Sequence, residues 1–273
     1  MQQYAVFGNP IKQSKSPQIH KMFAQQCGMD IDYQAKLSTE AEFKSDLASF
    51  FAIDDVVGCN VTAPFKQQAF EFADSCSAAA TVSGAVNTLH KDANGKIKGF
   101  NTDGGGLVND MLQQNASFSG NRVLMIGAGG AARGVLVDLL AQQPQSLTIA
   151  NRTLTTAEAL VAIGQSQQSG IELKATAFDA LEGSDFDIVI NATTLSLHNK
   201  VPDVAPSVFR NTHFVYDMVY GDKPTAFMEW ALEQGAAKVS DGLGMLVGQA
   251  ALSFEIWTGH SVDTQPVAQA LRQ

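Results

Sequence analysis

Charged side chains are scarce in this chain, 16% of its residues against about 25% in an average soluble protein. They are also unbalanced. Eighteen Lys and Arg oppose 27 Asp and Glu, a formal net charge of −9, and a chain this acidic generally repels polyanions, so a nucleic-acid partner is not expected. Cysteine is rarer still. Cys27, Cys59 and Cys76 are odd in number and lie in unrelated contexts, which excludes a disulfide scaffold and reads as reduced thiols. The histidines, His20, His90, His198, His213 and His260, are dispersed, with no His-x-x-x-His or Cys-x-x-Cys spacing, so no metal site is expected. Long hydrophobic runs are missing too. The longest apolar stretch, Val123 to Ala132, is far shorter than the roughly 20 residues that span a bilayer and carries three glycines. The N-terminal Met1-Gln2-Gln3-Tyr4 has neither the positive start nor the apolar run of an export signal. A soluble, cytoplasmic protein without a membrane partner is expected. What is present is an apolar fraction of 45% in 273 residues, which excludes bulk disorder and suggests two domains or one large α/β domain.

Apolar periodicity divides the chain into two series. In the first, strands are expected over residues 4–8, 31–37 and 56–61, with helices over 17–27 and 40–51 and further helical sequence opening at Pro64. The alternation then breaks, because residues 86–90 and 96–100 are β-like and separated by Asp92-Ala93-Asn94-Gly95, a hairpin turn. A more regular series begins at Gly120: strands over 122–126, 147–151, 171–176, 187–191 and 214–218, helices over 130–141, 155–165 and 225–234. This half reads as one doubly wound parallel sheet. Helices over 245–257 and 262–271 have no strand left to pair and are expected to pack back on the first domain. The expected class is therefore α/β with two domains: residues 1–105 plus 243–273, and residues 106–242.

Gly127-Ala128-Gly129-Gly130-Ala131-Ala132 follows the strand Val123-Leu124-Met125-Ile126 and precedes a helix, which satisfies G-x-G-x-x-A in the context that gives it meaning. Gly127 permits the tight turn, Gly129 lets backbone approach a pyrophosphate, and Ala132 allows close packing of helix on sheet. The alternative is an ordinary strand-to-helix turn. An NAD enzyme usually carries Asp or Glu at the end of the following strand to bind the ribose 2′-hydroxyl, but this chain has Asn151-Arg152-Thr153. A carboxylate would repel a 2′-phosphate, whereas Arg152 can pair with one, helped by Asn151, Thr153 and Thr156, so NADP is favoured. The plainer alternative is a solvated arginine beside a capping threonine.

Polar residues of the first half cluster at strand ends. Ser14-Lys15-Ser16-Pro17 opens a helix, where two hydroxyls and free amides would suit a carboxylate; capping by Ser16 is the alternative. Asn60-Val61-Thr62-Ala63-Pro64-Phe65-Lys66 puts Lys66 in the first turn of a helix, where the dipole disfavours a cation. Asn101-Thr102-Asp103-Gly104 offers Asp103 as the opposite charge, with a surface Lys and a capping Asp as the bland alternatives.

With these blocks the chain resembles shikimate dehydrogenases over nearly its whole length. The resemblance starts at Tyr4-Ala5-Val6-Phe7-Gly8-Asn9-Pro10 and continues through Gly84-Ala85-Val86-Asn87-Thr88, Asn191-Ala192-Thr193, Tyr216-Asp217-Met218-Val219-Tyr220 and Asp241-Gly242-Leu243-Gly244-Met245-Leu246. It implies NADP-dependent, reversible reduction of 3-dehydroshikimate to shikimate, the fourth of seven steps to chorismate and the aromatic amino acids. It implies a catalytic N-terminal α/β substrate domain completed by the C-terminal helices, a Rossmann-like NADP domain, and a cleft whose closure excludes water, in a monomer or homodimer. By position Ser14 and Ser16 would bind the substrate carboxylate with Tyr220 nearby, while Thr62, Lys66, Asn87, Asp103 and Gln249 would engage the ring hydroxyls and reacting oxygen. Gly127, Ala128, Gly129, Gly130 and Ala131, with Asn151, Arg152, Thr153, Leu154, Thr155 and Thr156, would bind NADP, and Met218 and Gly242 would flank the nicotinamide. Lys66 would be the proton donor and Asp103 would hold its ammonium, without metal or covalent intermediate.

The chain departs from the family at Asn191-Ala192-Thr193-Thr194-Leu195-Ser196-Leu197, where a glycine is common and none is present, so no site residue is expected over 194–198. Two other functions fit parts of the pattern. A quinate/shikimate dehydrogenase using NAD or NADP could share the carboxylate and hydroxyl sites. A non-catalytic dinucleotide-responsive protein would have lost Lys66 or Asp103, and both are present.

Overall fold

Ala5, Val6 and Phe7 are buried without interruption, as a strand flanked by parallel neighbours and covered on both faces requires. In the computed structural model, which describes residues 1–167 and 170–272, they belong to β1 (Gln2–Gly8). β1 lies between parallel β2 (Ile31–Leu37) and β3 (Val56–Val61), joined through α1 (Ser16–Gln26) and α2 (Phe43–Phe51). Pro17 sits in the first turn of α1, where its missing N–H leaves no helical bond unmade. Helix α2 starts at Phe43 rather than at residue 40, because Thr39 and Glu42 form a capping turn: the Thr39 hydroxyl donates to the Glu42 carboxylate at 2.8 Å and accepts the Glu42 amide at 3.3 Å.

After α3 (Lys66–Phe72) come β4 (Ser75–Cys76) and α4 (Ala78–Ser83), two short elements without a readable period. Ser77 caps α4 by accepting the Ala80 amide, and Gly84 ends it at φ 63°. The expected hairpin is present as antiparallel β5 (Thr88–Lys91) and β6 (Ile97–Phe100), with the Asp92 amide donating to Lys96 O at 2.9 Å. β5 begins at Thr88 rather than at residue 86, since the Val86 and Asn87 amides turn to Lys66 O and Phe100 O. The sheet order is β2-β1-β3-β5-β6-β4.

Beneath it Phe7, Phe43, Leu47, Phe50 and Phe65 make a buried cluster, with the Phe43 and Phe65 rings stacked at 4.5 Å. Each such side chain contributes about 1.5–3 kcal/mol by leaving water. Gly58 in β3 has a packing reason: a Cβ there would come within 2.2 Å of Trp257 Nε1 and 2.4 Å of Leu89 O, the pair hydrogen-bonded at 3.0 Å.

Helix α5 (Asp103–Gln113), unexpected from the sequence, leads to the second sheet. Here β7 (Arg122–Ile126), β8 (Ser146–Ala150), β9 (Glu172–Thr176), β10 (Ile188–Asn191), β11 (Phe214–Asp217) and β12 (Val239–Ser240) are all parallel, in the order β12-β11-β10-β7-β8-β9. This is a doubly wound sheet whose strand order reverses beside β7, the place where such sheets take ligands. Its crossovers include α6 (Gly130–Ala141), α7 (Leu154–Gln167) and α8 (Ala226–Glu233), and α9 (Leu243–Thr258) and α10 (Gln265–Leu271) end the chain. Two compact units result, residues 1–106 with 246–273 and residues 107–245. Among the described residues no helix is long and apolar enough to cross a membrane.

Candidate active site

In the first unit β3 ends at Val61, a tight turn follows, and α3 starts at Lys66. That start fixes the Lys66 side chain beside the first residue of α5. Its Nζ donates to Asp103 Oδ2 at 2.5 Å, with the two side chains 33% and 18% exposed. The other carboxylate oxygen, Oδ1, accepts from Asn87 Nδ2 at 2.8 Å. Asn87 is itself fixed, because its Oδ1 accepts the Thr102 amide at 3.0 Å and the Thr88 hydroxyl at 2.8 Å, while its Nδ2 also reaches Gln249 Oε1 at 3.4 Å. The ion pair is thus neither a surface pair nor a simple helix cap.

Ser16 lies inside α1, so it does not act as its N-cap; Ser14 Oγ accepts the Ser16 amide at 3.3 Å. The Tyr33 hydroxyl donates to Asn60 Oδ1 at 2.7 Å. Asn60 Nδ2 in turn donates to Asn87 O at 3.1 Å. Lys66, Asn87, Asp103 and Gln249 therefore belong to one network, which Asn60 and Tyr33 extend. Thr62 is half-buried on the turn before α3, and Tyr220 lies in the other unit, 37% exposed. The residues missing from the sequence reading are Tyr33, Asn60, Thr88, Thr102 and Ser253. For Asn60 a signal existed, an amide at the end of an apolar strand; for Tyr33 on β2 and Ser253 on α9 there was none.

In the second unit β7 passes through Gly127 into α6. Gly127 has φ +106°, and a Cβ there would meet Thr193 Cγ2 at 3.1 Å and the Ala192 carbonyl at 3.2 Å, so glycine alone fits this turn. Gly129 precedes α6 without any side-chain cap, and nothing lies within 4 Å of where Cβ atoms of Gly129 and Gly130 would be. The positive end of this 12-residue helix thus carries no side-chain cap and leaves room beside its glycines, a cradle suited to pyrophosphate. Ala132 is fully buried in the core beneath.

Asn151 and Arg152 line a cavity of about 850 Å³ together with Phe178, Thr193, Thr194 and Leu195. Asn151 Nδ2 donates to Thr153 O at 2.9 Å, closing the turn, and Arg152 is exposed with no ion pair among the described residues. Thr153, Leu154, Thr155 and Thr156 are exposed at the start of α7, outside that lining. Met218 and Gly242 adjoin each other: a Cβ on Gly242 would lie 2.2 Å from Met218 O. The donor set, a helix start plus a guanidinium, fits a dinucleotide carrying an extra phosphate.

In the loop without glycine, Thr194 and Leu195 line this cavity. A turn of 3-10 helix, Leu195–His198, shapes it, and the left-handed position falls on Asn199 at φ 55°, a residue type that tolerates it. Ser196 Oγ donates to Asp217 Oδ2 at 2.6 Å and ties the loop down.

Comparison with known proteins agrees with this geometry. The family model described as the shikimate dehydrogenase substrate binding domain matches residues 6–89, that of shikimate / quinate 5-dehydrogenase residues 110–201, and that of the shikimate 5'-dehydrogenase C-terminal domain residues 242–272. A relative from Colwellia psychrerythraea, named shikimate dehydrogenase (NADP(+)), is 50% identical over 270 residues, 99% of this chain and 96% of its own. An enzyme structure from Pseudomonas putida is 39% identical with a TM-score of 0.94, covering 99% of this chain and 98% of its own. The shikimate 5-dehydrogenase of Thermus thermophilus in complex with NADP(H) and shikimate is 28% identical with a TM-score of 0.87, covering 100% and 99%.

Proposed function

The chain belongs to the shikimate dehydrogenase family, and we propose that its Lys66–Asp103 pair moves the proton in the NADP-dependent, reversible reduction of 3-dehydroshikimate to shikimate. It is an oxidoreductase that uses NADP. The reading assigns substrate to the first unit and cofactor to the second, in a cytoplasmic monomer or homodimer. The observation that carries the residue assignment is the 2.5 Å contact of Lys66 with a carboxylate whose other oxygen is held by Asn87.

When bound, NADPH supplies a hydride to the ketone carbon. Negative charge then develops on the substrate oxygen. Lys66 carries three N–H groups, one of them spent on Asp103, so two are left to stabilise that oxygen and deliver a proton to it. Asp103 keeps Nζ in place, and Asn87 keeps the carboxylate from rotating, so the donor is oriented before the charge appears. In the reverse direction the Lys66 amine accepts the hydroxyl proton. Ser14 and Ser16 bind the carboxylate, with Tyr220 beside it, and Thr62 and Gln249 take ring hydroxyls. The uncapped start of α6 holds the pyrophosphate, Asn151 to Thr156 hold the adenosine phosphate end, and Met218 and Gly242 flank the nicotinamide.

Assay of shikimate and quinate, each with NADP and NAD, tests the reading. Turnover is expected to be highest for shikimate with NADP; faster turnover of quinate, or of NAD, would replace it. A second expectation concerns Arg152. If its fork pairs with the 2′-phosphate, Arg152→Ala loses about 1.5–3 kcal/mol of NADP affinity and little NAD affinity, measured by titration of each cofactor. Equal losses would reduce Arg152 to a support of its loop.

A further inference from the structure

His20 lies on the buried face of α1, fully enclosed, and has no role in the chemistry derived above. Its ring stacks on Tyr33 at 4.4 Å and 10°, with Trp257 at 5.2 Å and Phe23 and Phe254 at its edges. In this aromatic box its one polar contact among the described residues is Nε2 to Asn60 Oδ1, 3.1 Å. Nδ1 is buried and has no hydrogen-bond partner among the described residues.

The partners of Asn60 fix which way its amide points. The Asn60 nitrogen faces the carbonyl of Asn87, which can only accept, so the Asn60 oxygen must face His20 and Tyr33. His20 Nε2 therefore carries the hydrogen and donates. Asn60 Nδ2 passes the direction on to Asn87 O and to Thr88 Oγ1 at 3.2 Å. The Thr88 hydroxyl lies between Asn87 Oδ1 at 2.8 Å and Ser253 Oγ at 2.7 Å, and Asn87 Nδ2 donates to Asp103 Oδ1. The amide links run one way, from His20 through Asn60 and Asn87 to the carboxylate that holds Lys66.

We propose that His20 is a positioning residue for the reaction: a neutral donor that fixes the Asn60 amide, and through Asn60, Thr88 and Asn87 fixes Asp103 and Lys66. The box explains why the donor is an imidazole. A flat ring fills the space against Tyr33 and Trp257, as a phenylalanine would, yet it presents one N–H to Asn60. Burial pushes the His20 imidazole down to about 3, so the ring stays neutral wherever the enzyme works. Protonation would also need an acceptor at Nδ1, and none of the described residues supplies one. Without this donor Asn60 Oδ1 keeps only Tyr33 among the described residues, and the amide is free to tilt away from Asn87 and Thr88.

The role rests on the Lys66–Asp103 reading, and the two fail separately: retained kcat in Lys66→Ala ends that reading, whereas the results below concern the path behind it. Nitrogen-15 NMR of the histidine-labelled wild type comes first, since it needs no variant. His20 is expected to show the neutral Nε2–H form throughout pH 5 to 9; a titrating ring, or the Nδ1–H form, overturns the proposal. His20→Phe keeps the stack and removes the donor, while His20→Gln restores an N–H near the Nε2 position. His20→Phe is expected to lower kcat on the order of 10-fold, with shikimate KM changed less and NADP affinity unchanged, because misplacement acts on the reacting pair. His20→Gln is expected to stay within about 3-fold of wild-type kcat although it packs worse. If His20→Phe keeps wild-type kcat, or His20→Gln falls as far as His20→Phe, the residue is only core. Should His20→Phe fail to fold, the kcat of His20→Gln and the NMR form of the wild type decide the matter.

Discussion

Lys66→Ala is expected to lower kcat by on the order of 10²-fold or more, with a smaller change in shikimate KM. A loss of that size corresponds to roughly 2.7 kcal/mol of transition-state stabilisation, at about 1.36 kcal/mol per decade. The expectation follows from where the ammonium stands. Held by Asp103 and 33% exposed, it meets an uncharged ketone in the ground state and a developing alkoxide in the transition state, so its contribution falls mostly on kcat. Lys66→Arg keeps the charge but is expected to recover little, because a planar guanidinium does not release its proton and does not fit the place of a compact ammonium against Asp103. Steady-state kinetics with both variants, beside circular dichroism and NADP titration to exclude unfolding, make the measurement. Retained kcat with a raised KM would make Lys66 a binding residue and move the proton to Asp103 or an ordered water.

Asp217→Ala is expected to cost about 3–5 kcal/mol of stability in the second unit, since several buried donors lose their acceptor at about 1–3 kcal/mol each. Asp217 is fully buried at the end of β11 and accepts from Asn191 Nδ2 at 3.0 Å, Ser196 Oγ at 2.6 Å, Thr225 Oγ1 at 2.6 Å and the Val219 amide at 3.1 Å. One carboxylate thus joins the end of β10, the loop over 194–198, the backbone after Met218 and the cap of α8. The corresponding fall in the melting midpoint is roughly 10 °C or more, read by calorimetry. NADP affinity should fall as well, because Thr193, Thr194 and Leu195 line the cavity that holds Arg152. The dependence on pH has a definite sign. Burial outweighs the four donors and raises the Asp217 carboxyl above its ordinary value, so the native state keeps its proton to higher pH than the unfolded chain. The stability from this group is fully present below the unfolded value of about 3.9 and is lost as pH rises through the raised native value. Asp217→Asn, which does not titrate, removes that loss; a variant with wild-type pH dependence would show that Asp217 is not its source.

Five of the six strands of the second sheet were legible because buried parallel strands read as short apolar runs, such as Val123-Leu124-Met125-Ile126, between turn residues; β12, two residues long, was missed. The glycine turn was legible for a related reason. Gly127 must adopt a positive φ against Ala192 and Thr193, and no other residue type does so without strain. Short elements were not legible: β4 has two residues and α4 has six, too few to show a period. The start of α5 was hidden by Gly104-Gly105-Gly106, poor helix formers that packing overrides. In the loop over 194–198 the absent glycine was visible, but its replacement by Asn199 and the Ser196–Asp217 bond was not.

The sequence by itself determined the class of fold and the cofactor class, because these rest on local rules: apolar period, the glycine turn, and Arg152 where an acid would stand; the family came from the ordered motif blocks that resemble it. It also singled out Lys66 as a cation where a helix start disfavours one. Only the tertiary structure decided what answers that cation. Lys66 and Asp103 are 37 residues apart, Asn87 and Gln249 are 162 apart, and His20 reaches Asn60 across 40. Contacts between side chains so far apart leave no period and no spacing in the chain. They exist because two turns of the sheet and one C-terminal helix bring polar groups to the same buried place, where each must find a partner or lose its hydration without return.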